Sequence, residues 1–580
     1  MAVHYSIIPE SAPFSDEQRA WLNGFLAGWI GLPGSGGGAA GGNAAFADSV
    51  ATALLAGSPA APSASPADEE EDFPWHDSAL PLDDRLRLAE GRPLPRRLMA
   101  AMAQLNCGSC GYDCRRYAEA IAAGEEKSLK LCSPGGKETA KRLKELVSLD
   151  VGAASTNGHS TNGHAVTNGH ATNGHLATNG HAAANGTPLK KSPAEGSSPA
   201  SSKSPAPSRW SRTNPFPAKV LAIRNLNGEG SAKQTSHVEL CLAEGDLSYE
   251  VGDALGVYPT NCKVLVQAIL ERLRATGDEA VEFDGRPMPL SQVLLERVCL
   301  TEIGDELLER LADGCGDATE AARIRSYYLD DSEPIEGWDV LELLNHCPSV
   351  TLTAADLISN LSPLRPRLYS ISSSLKAHAE QVHLTVGRVA WSFRDRGRKG
   401  VASTMFSDRL KRGDTVRVFV HKAHGFSVPT DSGRPMIMIG PGTGIAPFRA
   451  FLQERRATAA PGKNWLFFGD QQSATDFLYR DELHELQQTG VLTRLDSAFS
   501  RDQVEKIYVQ NRMLEHGAAL WQWLDEGGHV YVCGDAKRMA VDVDRALRQI
   551  VAEHGGMSAA DADSYVARMA SEKRYCRDVY

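Results

Sequence analysis

Four cysteines stand close together near the front of this 580-residue chain. In "LNCGSCGYDCRRYAEAIAAGEEKSLKLCSPGG" they follow the spacing C-x2-C-x3-C-x17-C, at Cys107, Cys110, Cys114 and Cys132. Four thiolates can hold a 4Fe–4S cluster. The same set can bind zinc, but zinc ribbons usually present two C-x2-C pairs and this stretch has one. The spacing favours a cluster, with zinc and unliganded thiols as the alternatives.

A second stretch, "MIMIGPGTGIAPFRAFLQER" (436–455), places a glycine-rich turn between an apolar strand and an amphipathic helix. Its glycines would let the backbone approach a phosphate at the helix N-terminus. Downstream, "SAFSRDQVEKIYVQ" gathers cations and hydroxyls that suit the 2′-phosphate of NADP, where an NAD site would place an acidic residue. A solvated basic loop is the alternative for this second segment.

Two further stretches, "PRLYSISSS" (366–374) and "KGVAS" (399–403), form another candidate site. An arginine beside a tyrosine and a serine on a strand could meet a pyrophosphate and a ring system. A helix beginning at "GVAS" could offer backbone N–H groups to the same phosphates. Composition alone assigns them no ligand.

Composition restricts the kinds of partner. A net charge of −11 and a pI near 5.9 do not favour nucleic acid. The apolar run "WLNGFLAGWIGL" is too short to span a bilayer, and the first residues lack the basic region of a signal peptide. The other seven cysteines are scattered. These features predict a cytoplasmic protein with no membrane partner.

The front of the chain alternates structured and linker segments. Residues 1–32 contain a helix at 15–32 with an aromatic face, which either packs on its own protein or docks a partner. Residues 33–72 are a predicted linker and 73–149 a helical cysteine module. Residues 150–210 are rich in Asn, Gly, His, Ser and Pro and cannot bury a core. The favoured interpretation is a solvated linker that spans roughly 40–45 Å and lets the module take many positions relative to the following domains. Weak metal binding by its histidines is the alternative.

The remaining chain predicts two globular domains, so the fold class is multidomain, α+β and α/β. In 216–430, strand patterns flank a helical insert at about 261–345, which predicts an interrupted β-barrel. In 433–580, the apolar stretches "PMIMIG", "NWLFFGD", "VLTRLDSAF" and "HVYVCGD" alternate with helices. That alternation predicts a doubly wound parallel sheet.

Taken together, "RPRLYSISSS", "LTVGRV", "GPGTGIAPFRAF", "PGKNWLFFGD", "DFLYRDEL", "AFSRDQVEKIYVQ", "VYVCGDAKRMAVDV" and "EKRYCRDVY" resemble the FAD/NADPH half of the diflavin reductase family, and within it the sulfite reductase flavoproteins. The resemblance covers residues 216–580. It implies a ferredoxin-reductase-like FAD barrel with a helical connecting insert, followed by an NADP-binding α/β domain. It also implies an NADPH-dependent oxidoreductase.

The resemblance assigns site residues by position. It places Arg367 at the FAD pyrophosphate, Tyr369 on the isoalloxazine and Ser370 near flavin N5. The other implied FAD contacts are Thr301, Leu368, Thr385, Val386, Gly387, Gly400, Val401, Ala402, Ser403 and Tyr580. For NADP the contacts are Gly442, Thr443, Gly444, Ser500, Arg501, Lys506, Ile507, Tyr508, Val509, Gln510 and Asp542. The implied catalytic group is Ser370, Cys533, Asp578 and Tyr580, with Tyr580 covering the flavin face until hydride transfer. A buried thiol without function is the alternative for Cys533.

One departure from the family is large. The family normally carries an FMN-binding flavodoxin domain, yet here the cysteine module and the linker occupy its place, so FMN is not expected. The cysteine stretch resembles the iron–sulfur domain of RnfB-type and corrinoid proteins, although their third cysteine usually falls one residue later. The implied route runs from NADPH to FAD, to the cluster and to a separate haemoprotein of sulfite reductase.

Three alternatives stay open. The acceptor could be an assimilatory nitrate or nitrite reductase. The front end could instead be a zinc docking module that leaves FAD as the last carrier. The N-terminal segment could also join copies of the chain into a homo-oligomer.

Overall fold

The computed structural model describes Trp75 and residues 82–104, 110, 112–132, 135–155, 209–329, 335, 337–423 and 425–580, with backbone alone at 150–155. The predicted helix at 15–32, the linker at 33–72, Cys107 and residues 156–208 lie outside these ranges. Within them, no helix combines the length and the apolar character needed to cross a membrane.

The cysteine module is a group of helices: Leu82–Leu88, Leu94–Ala101, Cys114–Ala122 and Gly136–Ser155. The third buries Cys114, Tyr117, Ala118 and Ile121, the stripe of an amphipathic helix. Asp113 caps it by accepting a backbone N–H at 2.7 Å. The last helix continues to Ser155, past the predicted boundary at 149.

A barrel of antiparallel strands follows. Strands β1 to β10 are Phe216–Asn225, Thr235–Cys241, Ala254–Tyr258, Ala280–Phe283, Arg286–Pro289, Arg367–Ser370, Gln381–Gly387, Ala390–Phe393, Arg396–Lys399 and Thr415–His421. Six of them form one sheet in the order β6-β3-β10-β1-β2-β7. A bridge between Ile371, just after β6, and Leu384 in β7 joins the two edge strands. Closing the sheet in this way brings the end of β6 beside β7.

A helical insert interrupts the barrel between β3 and β6. Its helices are Lys263–Leu273, Leu290–Glu296, Asp305–Asp313, Ala318–Leu329, Val340–His346 and Ala354–Ser359. They share one core that runs from Val266 to Leu361, so the insert extends past the predicted end near 345. A capping box between Thr353 and Asp356 starts the last helix. The hairpin of β4 and β5 inside the insert was not predicted.

The last domain contains a parallel sheet with helices on both faces. Strands β11 to β15 are Met436–Ile439, Asn464–Asp470, Arg494–Phe499, His529–Gly534 and Tyr575–Val579, in the order β13-β12-β11-β14-β15. Its helices are Ala446–Ala457, Ser473–Asp476, Arg480–Gln488, Val509–Glu515, Gly517–Asp525, Met539–Gly555 and Ala559–Ser571. Met436 and Met438 pack in one core, and Ile437 and Ile439 in another on the opposite face. The order of strands reverses between β11 and β14, which is where ligands bind in such sheets.

Candidate active site

Three predicted residues from three strands meet where the barrel touches the parallel sheet. The β14–β15 register pairs Cys533 directly with Asp578. The Ser370 hydroxyl, at the end of β6, donates to Asp578 Oδ2 at 2.6 Å, and the Cys533 thiol donates to the same oxygen at 3.7 Å. The structure therefore gathers the hydroxyl, the thiol and the carboxylate around one point.

Burial controls the charge of this group. Burial and the neighbouring Asp578 carboxylate raise the pKa of the Cys533 thiol well above its usual value. Burial also raises the pKa of Asp578, although hydrogen bonds from Ser370 and Cys533 act in the opposite direction. A thiol kept neutral is a poor nucleophile. The arrangement therefore suits a surface that orients a bound ring better than it suits covalent catalysis by Cys533.

The chain ends beside this group at Tyr580. Its backbone N–H donates to the Gly534 carbonyl at 3.0 Å, and its carbonyl accepts from Ala536 at 3.1 Å. Its hydroxyl lies 2.9 Å from Thr443 Oγ1 in the glycine-rich turn. The residue is still 48% exposed, so part of this aromatic residue is open for stacking.

The glycine-rich turn packs closely against Cys533. A 3-10 helix at Gly442–Ile445 follows β11 and leads into Ala446–Ala457. A Cβ on Gly444 would collide with the Cys533 carbonyl oxygen, and one on Gly440 would lie 2.5 Å from the Gly444 carbonyl oxygen. Gly442 has a φ of +58°, and a Cβ there would make an ordinary contact with Asp470 Oδ2 at 3.7 Å. Two of the three glycines thus serve packing within the protein.

The predicted FAD residues line the barrel's side of the site. Arg367 donates to the Arg365 carbonyl at 3.0 Å and lies 3.8 Å from Glu302. The Tyr369 ring packs edge-on against Phe406 with centroids 6.0 Å apart. Leu368 lies between them in β6, half-buried.

Helix Val401–Thr404 begins at Gly400 without a side-chain cap. Its first N–H groups therefore have no side-chain acceptor, and Ala402 and Ser403 lie within this turn. The Ser403 hydroxyl instead accepts the Val389 N–H at 3.1 Å. With Arg367 and the half-exposed Tyr580 ring, these donors fit a flavin dinucleotide.

Other predicted FAD contacts have partners within the protein. Thr385 Oγ1 lies 2.7 Å from the Tyr479 hydroxyl of the parallel-sheet domain, and Val386 is buried. A Cβ on Gly387 would lie 3.2 Å from the Thr443 methyl, so β7 approaches the glycine-rich turn closely. Thr301 lies 3.5 Å from the Cys299 sulfur.

The predicted NADP clamp follows β13. The Ser500 and Arg501 N–H groups donate to the Asp470 and Gln471 carbonyls at 2.9 and 2.8 Å, while Arg501 and Lys506 are exposed. Tyr508 is the N-cap of Val509–Glu515, and Gln510 donates to Asp542 at 3.3 Å. The side chain of Val509 belongs to the core, and Ile507 packs against that core. Exposed cations on a loop at the sheet's carboxyl edge suit an anionic ligand.

Three of the four predicted cluster cysteines are described. Cys114 is the first residue of its helix, and the Cys110 thiol donates to the Tyr112 carbonyl at 3.4 Å. A Cβ on Gly135 would collide with Thr139 Oγ1 and lie 3.0 Å from the Cys132 sulfur, so the backbone packs tightly beside that thiol. Burial raises the pKa of Tyr117, and nearby Cys110 and Cys132 raise it further. Both thiols therefore lie near the same tyrosine.

Soft sulfur donors fit a cluster or zinc. Among the described residues, no group of three or more His, Cys, Asp or Glu side chains has the arrangement of a metal site. Cys107, the fourth predicted ligand, lies outside those residues. The seven other cysteines are free thiols.

Sequence reasoning missed Arg365, although it begins the quoted stretch "RPRLYSISSS". It also missed β15 as a strand, because "YCRDV" contains two adjacent charges and does not alternate. The spacer residue Glu126, which Arg365 contacts, carries no local signal.

Three family models match the chain. The model described as "FAD binding domain" covers residues 208–292 and 329–405, and "Oxidoreductase NAD-binding domain" covers 438–545. The model described as "Putative Fe-S cluster" covers 102–134. The chain thus contains an FAD-binding domain followed by an oxidoreductase NAD-binding domain.

Named sequence relatives are consistent with these family matches. The chain is a homologue of the sulfite reductase [NADPH] flavoprotein alpha-component of Bacillus subtilis (strain 168), with 46% identity over 380 residues, 64% of this chain and 62% of that protein. The component of the same name from Aliivibrio fischeri is 44% identical over 379 residues, and that of Pectobacterium atrosepticum 43% over 377; each match covers 64% of this chain and 61% of the relative. The expected resemblance is confirmed over that part. The chain spans about 62% of the length of the first relative.

Proposed function

We propose that the protein is an NADPH-dependent flavoprotein reductase that passes electrons from NADPH through FAD and a 4Fe–4S cluster to a separate haemoprotein. The preferred acceptor is the haem subunit of sulfite reductase, because the matched relatives bear that enzyme's name. The observation that carries the proposal is the convergence of Ser370, Cys533 and Asp578 beside the Tyr580 ring.

The barrel is proposed to be of the ferredoxin-reductase type and to hold FAD. Arg367 and the uncapped turn at Val401–Thr404 would bind its pyrophosphate, while Tyr369 and Tyr580 would face its ring. Bound FAD accepts a hydride and can release the two electrons singly.

The parallel-sheet domain would hold NADPH. Arg501 and Lys506 offer exposed charge for the 2′-phosphate, with Ser500, Tyr508, Gln510 and Asp542 around them. The Tyr580 ring would have to leave the flavin face before a nicotinamide could stack there. That side-chain motion would break the hydroxyl contact to Thr443 and leave the backbone bonds to Gly534 and Ala536 in place.

The protein's own groups would prepare hydride transfer. The thiol of Cys533 stays protonated, so it adds no negative charge next to a reduced flavin. The Asp578 carboxylate accepts from Ser370 and Cys533 and thereby fixes the orientation of both donors. Positioning of this kind is a large part of catalysis between two bound rings.

The cysteine module would supply the one-electron carrier, held by Cys107, Cys110, Cys114 and Cys132. A bound cluster takes electrons one at a time. The match of residues 102–134 to an iron–sulfur model supports this reading over a zinc docking module. An assimilatory nitrate or nitrite reductase stays a second candidate acceptor.

Anaerobic iron, zinc and acid-labile sulfide analysis tests the proposal, followed by NADPH addition under electron paramagnetic resonance. Four iron and four sulfide per chain, with a reduced-cluster signal after NADPH, are expected. One zinc without sulfide would reduce the front end to a docking module. Titration of the reduced protein with purified sulfite, nitrite and nitrate reductases then identifies the acceptor.

A further inference from the structure

Arg365 joins the cysteine module to the FAD-binding domain. One guanidinium nitrogen donates to the Cys110 carbonyl, and the other lies 2.8 Å from Glu126 Oε2. Each side chain of the Arg365–Glu126 pair is only 14% exposed. A largely buried pair of this kind depends on both partners, because removing one leaves the other charge uncompensated.

Tyr112 adds an aromatic contact to this pair. The guanidinium carbons of Arg365 and Arg212 lie 5.4 and 4.8 Å from the centroid of its ring. The Tyr112 hydroxyl donates to Glu126 at 3.4 Å. Arg212 is itself held to β3, since its carbonyl accepts from the Tyr258 hydroxyl at 2.6 Å. Two arginines of the barrel's half thus contact one tyrosine of the module.

Glu126 connects the same contact to a second cysteine. Its other oxygen accepts the Ser128 N–H at 3.0 Å. The Ser128 carbonyl accepts from the Tyr117 hydroxyl at 2.7 Å, and that hydroxyl accepts the Leu131 N–H at 3.2 Å. Leu131 directly precedes Cys132. Arg365 therefore touches the backbone of Cys110 and, through Glu126, the loop that ends at Cys132.

On its other side, Arg365 touches the proposed FAD site. Its carbonyl accepts from Arg367, the residue proposed to bind the FAD pyrophosphate, at 3.0 Å. The segment 365–367 thus contacts the surroundings of both proposed cofactors. The second ion pair between the module and the insert, Lys130 with Asp305, is exposed (65% and 44%) and contributes little to docking.

We propose that Arg365 is a positioning residue for electron transfer: it fixes the cysteine module against the FAD-binding domain and holds a positive charge beside Cys110. The inference rests on the proposed function. One NADPH would deliver a hydride to FAD and leave as NADP⁺. The two electrons would then pass one at a time to the cluster, which hands each to the haemoprotein before it takes the next, and the proton of the hydride would be released to solvent. The Arg365 guanidinium contributes a positive charge and N–H donors. Its charge favours the reduced, more negative cluster and so raises the reduction potential.

The test compares the full-length protein with R365Q, R365K and the control K130A. Stopped-flow absorbance separates flavin reduction by NADPH from cluster reduction, and a redox titration followed by electron paramagnetic resonance gives the cluster potential. Hydrogen exchange of residues 112–132 reports docking. We expect unchanged flavin reduction in all variants, and in R365Q cluster reduction at least tenfold slower, a lower potential and faster exchange.

R365K keeps the charge but loses the two-pronged guanidinium. Its cluster potential should stay near that of the wild type. Its hydrogen exchange and its rate of cluster reduction should lie between those of the wild type and R365Q. K130A should match the wild type in all three measurements. If R365Q loses its cluster during purification, E126Q replaces it, with the same slowed transfer expected.

Unchanged cluster reduction in a cluster-containing R365Q or E126Q protein overturns this inference alone. Equal slowing in K130A also overturns it, since the effect would then not belong to the buried pair. A wild-type protein that contains no cluster, or whose cluster stays oxidised after NADPH, overturns the proposed function and this inference with it.

Discussion

Ser370 donates a 2.6 Å hydrogen bond to Asp578 across 208 positions of the chain. Ser370 ends a strand of the barrel, and Asp578 lies in the last strand of the parallel sheet, opposite Cys533. The candidate active site is thus complete only where the two domains meet. Variants that disturb the contact between these two domains should lower the rate of flavin reduction more readily than the affinity for either nucleotide.

Two buried cysteines allow a matched comparison. Cys533→Ala removes the thiol that contacts Asp578, and we expect flavin reduction by NADPH to slow about tenfold or more, because misplacing a reacting ring is costly. Cys576→Ala removes a buried thiol on the neighbouring strand that donates only to the Lys573 carbonyl. Its rate should match the wild type. Anaerobic stopped-flow absorbance of the flavin measures both, and a wild-type rate in Cys533→Ala would exclude a role for Cys533.

The glycine-rich turn predicts different outcomes for two alanine substitutions. Gly444→Ala places a methyl group against the Cys533 carbonyl and should lower the free energy of unfolding by about 1–3 kcal/mol. Gly442→Ala makes only ordinary contacts, the nearest at 3.7 Å from Asp470 Oδ2, but adopts a positive φ, which costs about 1 kcal/mol. Thermal unfolding with flavin release as a second signal measures both. A Gly444→Ala protein as stable as the wild type would contradict the contact with Cys533.

Arg501→Ala should weaken NADPH binding selectively. A lost charge-assisted hydrogen bond costs roughly 1.5–3 kcal/mol, so KM for NADPH should rise about 10- to 100-fold. KM for NADH should change little, because NADH lacks the 2′-phosphate. Arg456→Ala removes an exposed arginine paired with Glu485 elsewhere on the domain and serves as the control. An Arg501→Ala protein with an unchanged NADPH-to-NADH preference would place the 2′-phosphate elsewhere.

Two buried histidines predict acid sensitivity at the contact between the domains. Burial, followed by the nearby Arg449 charge, lowers the pKa of His237 to about 2 and that of His383 to about 3. Below the ordinary value near 6.5, the unfolded state binds protons that the folded state does not, so stability falls as pH drops from about 6.5 toward 3. Each histidine should cost about 2 kcal/mol at pH 5.

The measurement is the melting temperature from pH 8 to pH 4, with His383→Gln as the variant. Its side chain lies against Arg449 and Gln381, which glutamine can still contact. The variant should be less stable than the wild type at pH 8 and should lose less stability on acidification. A pH dependence identical to that of the wild type would show that His383 does not set the acid limit.

Local patterns predicted much of this molecule. Strand–turn–helix alternation predicted four of the five strands of the parallel sheet, and "PGTG" predicted the turn before Ala446–Ala457. The helix start at Gly400 follows from "GVAS". These features depend on neighbours a few positions apart, which the sequence places together. The site residues themselves came from resemblance to a family, since spacing alone gave them no ligand.

Contacts between distant segments needed the tertiary structure. The predicted linker would let the cysteine module roam, yet Arg365, Glu126 and Tyr112 hold it against the barrel's half. Nothing near Glu126 distinguishes it from the other charged residues of the spacer.

The sequence by itself therefore determined most of the elements, the nucleotide motifs and the four-cysteine spacing, because each is written over short stretches of chain. Only the tertiary structure decided that Ser370 meets Asp578 and that Arg365 meets Cys110. Those pairs depend on barrel closure, strand order and domain docking. All three are outcomes of burying apolar surface across the whole chain, and no local pattern encodes them.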